Sequence, residues 1–296
     1  MKILLFGKVG QLGWELNRSL QPLGDIVALD RGEVDFSKPE SLRQVVRDIN
    51  PDVICNAVAY TAVDKAEEEE ELAMKINGIS PGVLAEEAKK LGALLVHYST
   101  DYIFDGTKAS SYDETDTPNP VNAYGRTKLA GELSIQSLGC DYLILRTSWV
   151  YASRGQNFLL SMLRLAAEKK ELTIVDDQLG VPTWARSIAD ITCHVISKSL
   201  AERDGNVFRS DIYNVSASGQ ASWFLFAKEI IELAKKCEKF KHLKVKSVTP
   251  ISSVSYPTPA ERPMNSKLST SKLSEKFDIN VAEWSEHLKL CVDELC

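Results

Sequence analysis

Ile3-Leu4-Leu5-Phe6-Gly7-Lys8-Val9-Gly10-Gln11-Leu12-Gly13 decides the fold. A continuous apolar run, suited to a strand buried on both faces, leads directly into a G-x-x-G-x-x-G turn. Leu12, Leu16 and Leu20 then recur at four-residue spacing and give the following helix one apolar stripe. Alone, such a turn is weak evidence. Between a strand and a helix, Gly7, Gly10 and Gly13 let the backbone turn tightly and approach a pyrophosphate, whose charge the helix N-terminus then meets. The stretch therefore reads as the opening of a dinucleotide site, with Gln11 and Leu12 in the same turn.

Outward from there, Ile26–Leu29, Val53–Cys55, Leu94–Val96 and Leu143–Leu145 read as further buried strands, and Leu42, Val45, Val46 and Ile49 as another helix stripe. This alternation predicts an α/β fold, a Rossmann-type doubly wound parallel sheet with a smaller C-terminal substrate-binding lobe. Beyond Trp149 come helices near Phe158–Glu168 and Ala185–Leu200, a turn-rich passage through Gly180 and Pro182, and a strand candidate at Ile212–Val215. From Trp223 onward, two helical patterns flank Ser255–Pro263, which holds three of the eleven prolines. The expected division assigns 1–150 and about 182–217 to the nucleotide-binding domain, and about 151–181 and 218–296 to the lobe.

A chain of 296 residues, 44% hydrophobic and 26% charged, has an ordinary globular composition. A net charge of -6 argues against nucleic-acid partners, which need a concentrated basic surface. The apolar runs are too short for a leader or a membrane span, so the expectation is a cytoplasmic protein. Six scattered cysteines without a C-x-x-C pair indicate neither a zinc knuckle nor a disulfide framework. Glu67 to Glu71 reads as a solvated helix start, with no function assigned.

Asp30 follows the second strand, about 20 residues past the glycines, where a carboxylate accepts ribose hydroxyls. That favours NAD, whereas Arg31 suits the 2′-phosphate of NADP; both stay open. Tyr124 and Lys128 lie one turn apart on a helix and share a face. A lysine charge beside a phenol favours phenolate, making Tyr124 a proton donor to the alkoxide of a carbonyl being reduced. Ser99-Thr100-Asp101 ends the fourth strand, where open α/β sheets bind ligands. Thr100 is the preferred partner for the substrate oxygen, with Ser99 open by strand alternation.

With these residues in view, the chain resembles the extended short-chain dehydrogenase/reductase superfamily, and within it the dTDP-4-dehydrorhamnose reductase branch. The resemblance rests on ILLFGKVGQLGWEL, NAVAYTAVDKAE, HYSTDYIFDG, NAYGRTKLAGE, LRTSWVYA, DDQLGVPT and YPTPAERPMNSKL and covers nearly the whole sequence. It implies reduction of the C4 ketone of a dTDP-linked deoxysugar by NADPH, with NADH as the alternative. Thr100, Tyr124 and Lys128 match the family's catalytic positions, and Asp101 and Trp149 its substrate contacts. Gly10, Gln11, Leu12, Asp30, Asp35, Phe36, Ala59, Tyr60, Thr61 and Tyr98 match its cofactor contacts, which Tyr124 and Lys128 share.

Some relatives are magnesium-linked dimers. Glu15 and Glu294 fit two of their ligand positions, but the third is Arg186, and a cation removes a hard-oxygen ligand. The expectation is therefore no metal, and a monomer or weak homodimer. A nucleotide-sugar 4,6-dehydratase is disfavoured, because Tyr102 stands where the second carboxylate of its acid pair would follow Asp101. The alternative outside catalysis is an NADP-binding regulatory subunit like that of methionine adenosyltransferase; Thr100 and Trp149 together favour an enzyme.

Overall fold

Six parallel strands form the central sheet of the computed structural model, which describes residues 1–296. They are β1 (Lys2–Phe6), β2 (Asp25–Leu29), β3 (Val53–Asn56), β4 (Leu94–Thr100), β5 (Asp141–Thr147) and β6 (Asp211–Asn214), in the order β6-β5-β4-β3-β1-β2. One line of register runs Leu5, Cys55, Val96, Leu143 across four strands. The Ile212–Val215 candidate is thus a sheet strand, shifted by one residue.

Alternation of side chains along each strand builds two cores. Ile3, Leu5, Val53, Val96 and Leu143 pack on Leu16 and Leu20 from α1 (Gln11–Ser19) and its cap. Leu4, Phe6, Ile54, Leu95 and Ile144 face the other way, onto Leu42 and Val46 of α2 (Pro39–Ile49), Leu84 and Ala88 of α3 (Ser80–Leu91), and Ile135 of α4 (Ala123–Leu138). Each such large aliphatic side chain contributes about 1.5–3 kcal/mol. Pro39 in the first turn of α2 and left-handed Asn50 after it fix that helix's ends, and Gly92 does the same after α3.

The later chain supplies α5 (Phe158–Glu168), α6 (Ala185–Asp204), α7 (Trp223–Lys235) and α8 (Trp284–Asp293). Ile188, Val195 and Ile196 of α6 close the first core beneath the sheet. Leu159, Leu163, Phe226, Ile230, Leu288 and Val292 join Tyr151 and Trp184 in a separate apolar cluster between α5, α7 and α8. Because α8 packs on α7, the chain end reaches the end of α7, where Cys237 and Cys296 form a disulfide across a Cα–Cα distance of 5.7 Å. This corrects the expectation from cysteine spacing: the two residues are 59 apart in sequence and only tertiary packing joins them. No helix is long and apolar enough to cross a membrane.

Candidate active site

The glycine turn closes against the end of β1. Gly7 has φ +91°, and a Cβ there would meet the Ala57 backbone at 3.2 Å. A Cβ on Gly13 would sit 2.0 Å from the Gly7 carbonyl oxygen, so α1 can lie this close only on a glycine. Gly10 is the N-cap of α1 and gives its first turn no side-chain cap, which leaves that end to an anion.

Beside the turn, at the C-terminal ends of β1, β2 and β3, lies a cavity of about 500 Å³. Gly7, Asp30, Arg31, Asp35, Phe36, Ala59, Tyr60 and Thr61 line it, so eight of the expected cofactor residues converge there. Asp30 accepts from Gly32 N at 2.8 Å and stands 3.9 Å from Lys8 Nζ. Asp35 is held by the Ser37 hydroxyl and amide, whose hydrogen bonds lower its pKa. Phe36 packs edge-on against Phe6. The Tyr60 hydroxyl donates to Glu69 at 2.6 Å, and that bond plus burial pushes the phenol up to about 12.

Two expected cofactor residues face elsewhere. Gln11 reaches Asn157 Nδ2 at 2.8 Å on the opposite wall. Tyr98 turns its hydroxyl to Thr192 at 2.9 Å and offers the site only its carbonyl.

The helix that carries Tyr124 and Lys128 is positioned by groups assigned no role from the sequence. Asn122 caps α4 by accepting from Gly125 N at 2.8 Å, and Glu67 accepts from Ala123 N at 2.7 Å. Glu70 takes Arg126 in two 3.0 Å bonds. The Glu67–Glu71 run is thus partly a clamp on the start of α4 and not only a solvated face. Buried Asn77, in a π-helical turn at Lys75–Ile79, bonds both Tyr60 backbone groups and the Thr127 hydroxyl, tying the loop that lines the cavity to α4. An N-cap asparagine two residues before Tyr124 was a readable signal; Glu67 and Asn77 act over long sequence distances and carried none.

Tyr124 is partly exposed at the cleft, with Tyr102 edge-on at 5.7 Å. Burial raises its phenol well above the usual value, while a hydrogen bond with Thr100 opposes the rise. Lys128 is fully buried; its Nζ donates to the Tyr98 carbonyl at 2.6 Å and meets His97 Nε2 at 3.3 Å. No hydrogen bond joins Lys128 to Tyr124. Burial pushes the lysine down to about 8, with the Glu132 charge pulling the other way. The expectation that Lys128 makes the phenol more acidic therefore fails for the chain alone: desolvation outweighs a lysine charge that is turned away and itself weakened.

Thr100 ends β4 with its hydroxyl donating to Asp101 Oδ1 at 3.0 Å. Asp101 is buried, its Oδ2 has no partner, and burial pushes its carboxyl up to about 6 from 3.8. The Ser99 hydroxyl is also buried and unpaired. Because the native carboxyl binds its proton more tightly than the unfolded one, stability falls as pH rises from about 4 to about 6 and stays lowered above. Asp101→Asn is accordingly expected to raise the melting temperature more at about pH 8 than at about pH 4. Equal shifts at both, in calorimetry, would contradict the desolvated carboxylate.

Trp149 adopts φ +46°, a left-handed conformation uncommon for a bulky residue. It stacks on Trp223 at 3.5 Å and leans over Gly180, where a Cβ would lie 2.3 Å from the indole. Glu15, Arg186 and Glu294 lie together, with Arg186 Nε donating to Glu15 Oε2 at 3.0 Å and Nη1 paired with Glu294.

The family model described as "RmlD substrate binding domain" matches residues 1–296. The dTDP-4-dehydrorhamnose reductase of Burkholderia thailandensis is 50% identical over 295 residues, spanning 100% of this chain and 99% of the relative. The crystal structure of dTDP-4-dehydrorhamnose reductase from Bacillus anthracis in complex with NADP superposes with a TM-score of 0.89 at 35% identity, covering 99% of each chain. A Thermus thermophilus UDP-glucose 4-epimerase complexed with NAD shares the fold alone, at 22% identity and a TM-score of 0.77 over 99% of this chain and 98% of that one.

Proposed function

The chain belongs to the RmlD family of dTDP-4-dehydrorhamnose reductases, and from that premise we propose how its cleft carries out the reaction. The reaction reduces the C4 ketone of dTDP-4-dehydro-L-rhamnose to dTDP-L-rhamnose with NADPH, NADH being the other donor. The residue assignment is supported by the meeting of α4 with β4, where Lys128 Nζ bonds the Tyr98 carbonyl and the Tyr124 phenol neighbours Thr100.

The donor set fits a dinucleotide. Gly7, Gly10 and Gly13 would admit a pyrophosphate to the start of α1, and Asp30, Arg31, Phe36 and Tyr60, which line the cavity, would hold the adenosine end. When bound, the reduced nicotinamide supplies the hydride. Thr100 then orients the ketone oxygen, and Tyr124 gives its phenolic proton to that oxygen as the C–O bond becomes an alkoxide. The raised pKa of the Tyr124 phenol keeps that proton in place until negative charge develops on the ketone oxygen. Lys128, held by the Tyr98 carbonyl, is the next group in the proton path. Asp101 Oδ2 and Trp149 face the sugar nucleotide, the first as an acceptor for a sugar hydroxyl and the second as an apolar surface. The lobe built on the α5, α7 and α8 cluster covers the substrate, and the sheet with α6 holds the cofactor.

Divalent metal does not fit between Glu15 and Glu294, because the Arg186 guanidinium already satisfies both carboxylates within one chain. We therefore expect no magnesium-dependent dimer. Sedimentation with and without EDTA should give one unchanged mass; a stable dimer holding stoichiometric magnesium would refute this.

The test of the function is oxidation of NADPH and NADH, followed by the loss of nicotinamide absorbance, upon addition of dTDP-4-dehydro-L-rhamnose. Substrate-dependent oxidation is expected with at least one donor. Its absence with both would overturn the reading.

A further inference from the structure

His97 lies at the centre of the sheet on β4, fully buried, between Asn56 of β3 and Lys128 of α4. Its register partner on β3 is Asn56. Three hydrogen-bond constraints fix what it presents to Lys128. The Val58 backbone N–H can only donate, and it meets Asn56 Oδ1 at 3.1 Å. The other end of that amide is therefore the NH2 group, and Nδ2 stands 3.1 Å from His97 Nδ1. Since Nδ2 donates, Nδ1 must be the unprotonated nitrogen, and a neutral ring then carries its proton on Nε2. Burial and the neighbouring lysine hold the imidazole well below its usual pKa, so it stays neutral. The Nε2–H accordingly points at Lys128 Nζ, 3.3 Å away.

An ammonium there would face a donor. A neutral amine would accept from it. We propose that Asn56 and His97 are positioning residues that lock the imidazole as its Nε2–H tautomer and thereby loosen the proton on the Lys128 ammonium, leaving a neutral amine when that proton passes along the path to the Tyr124 phenolate formed by protonating the alkoxide. The role rests on the assignment of Tyr124 and Lys128 given above, but the tautomer does not depend on it.

The titratable groups that face Lys128 are His97 from β4, and Tyr124 and Glu132 one turn to either side on α4. Glu132 is itself neutralised by Arg146 of β5 in a bond of 2.7 Å. Facing His97 are only Lys128 and the uncharged Asn56. The donor–donor encounter therefore adds to desolvation in the same direction, and Glu132 is the sole opposing charge.

Nitrogen-15 NMR of the full chain with labelled histidine reads the tautomer directly. Single substitutions of His194, His242 and His287 assign those three resonances, which leaves the fourth to His97 even where a His97 variant does not fold. The expected result is a neutral ring protonated on Nε2 across about pH 6 to 9, consistent with its lowered pKa. A ring protonated on Nδ1, or an imidazolium in that range, overturns the inference.

For turnover, His97→Gln lets a carbonyl oxygen turn to Lys128 and accept from its ammonium. The alkaline limb of kcat/KM should then move up by about one pH unit, a tenfold change in proton affinity, with KM little changed. An unmoved limb, with turnover merely lowered, would make His97 a packing residue and overturn the role. Full activity of a Tyr124→Phe variant would instead defeat the catalytic assignment while leaving the tautomer result standing.

Discussion

Tyr124→Phe is expected to bind NADPH as the parent does and to lose about two to four powers of ten in turnover, the usual worth of a positioned general acid. The substitution removes one oxygen and keeps the ring that packs edge-on against Tyr102, so the start of α4 should not shift. Its caps from Asn122 and Glu67 use backbone amides and do not involve the phenol. A proton is needed only as charge develops on the ketone oxygen, so kcat and kcat/KM should fall together while KM stays near its parent value. The measurement is steady-state reduction alongside a thermal shift with NADPH. Retained cofactor stabilisation with lost turnover supports the assignment, and undiminished turnover would end it.

The second large effect concerns the buried pair that joins α4 to β5. Arg146 Nη2 meets Glu132 Oε2 at 2.7 Å and its Nε meets Oε1 at 3.0 Å, with both side chains no more than 3% exposed. Removing one partner leaves an unpaired charge in a low-dielectric core. Glu132→Gln or Arg146→Met should therefore each cost about 3–5 kcal/mol in denaturant unfolding. Replacing both together, Glu132→Leu with Arg146→Met, should recover most of that loss, because no charge then remains to be desolvated. A single-variant cost under about 1 kcal/mol, as found for exposed pairs, would mean that water reaches this site. Arg146 pairs in register with Ser99 and its guanidinium lies over Phe104, so a loosened pair also disturbs the end of β4. Loss of activity in the single variants should accordingly track loss of stability.

What the sequence made legible was local. The apolar run Ile3–Phe6 followed by glycines at Gly7, Gly10 and Gly13 specifies a strand, a close turn and a helix from neighbours alone, and the sheet follows by repetition. Tyr124 and Lys128 were visible because four residues make one helical turn. Their electrostatics were not, since the Lys128 amine points to the Tyr98 carbonyl and His97 and not to the phenol. That depends on how β4 sits under α4. Asn77 and Glu67 act on loops and helix ends some 17 and 56 residues away in sequence, and Asn56 and His97 meet only through sheet register. The Cys237–Cys296 link has the same origin, in the packing of α8 on α7. For Trp149 the sequence offered a substrate contact through resemblance alone. Its left-handed backbone and its stack on Trp223 reveal a strained position, a kind of feature that gathers at functional sites.

If Tyr124 serves the C4 ketone of a dTDP-linked deoxysugar, the hydride must arrive at that same carbon. NADPH deuterated at the transferring carbon, incubated with the protein and dTDP-4-dehydro-L-rhamnose, tests it most directly by NMR of the sugar. Deuterium bonded to C4 of dTDP-L-rhamnose is the expected result; unlabelled product, label at another carbon, or unconsumed substrate would contradict hydride delivery to C4.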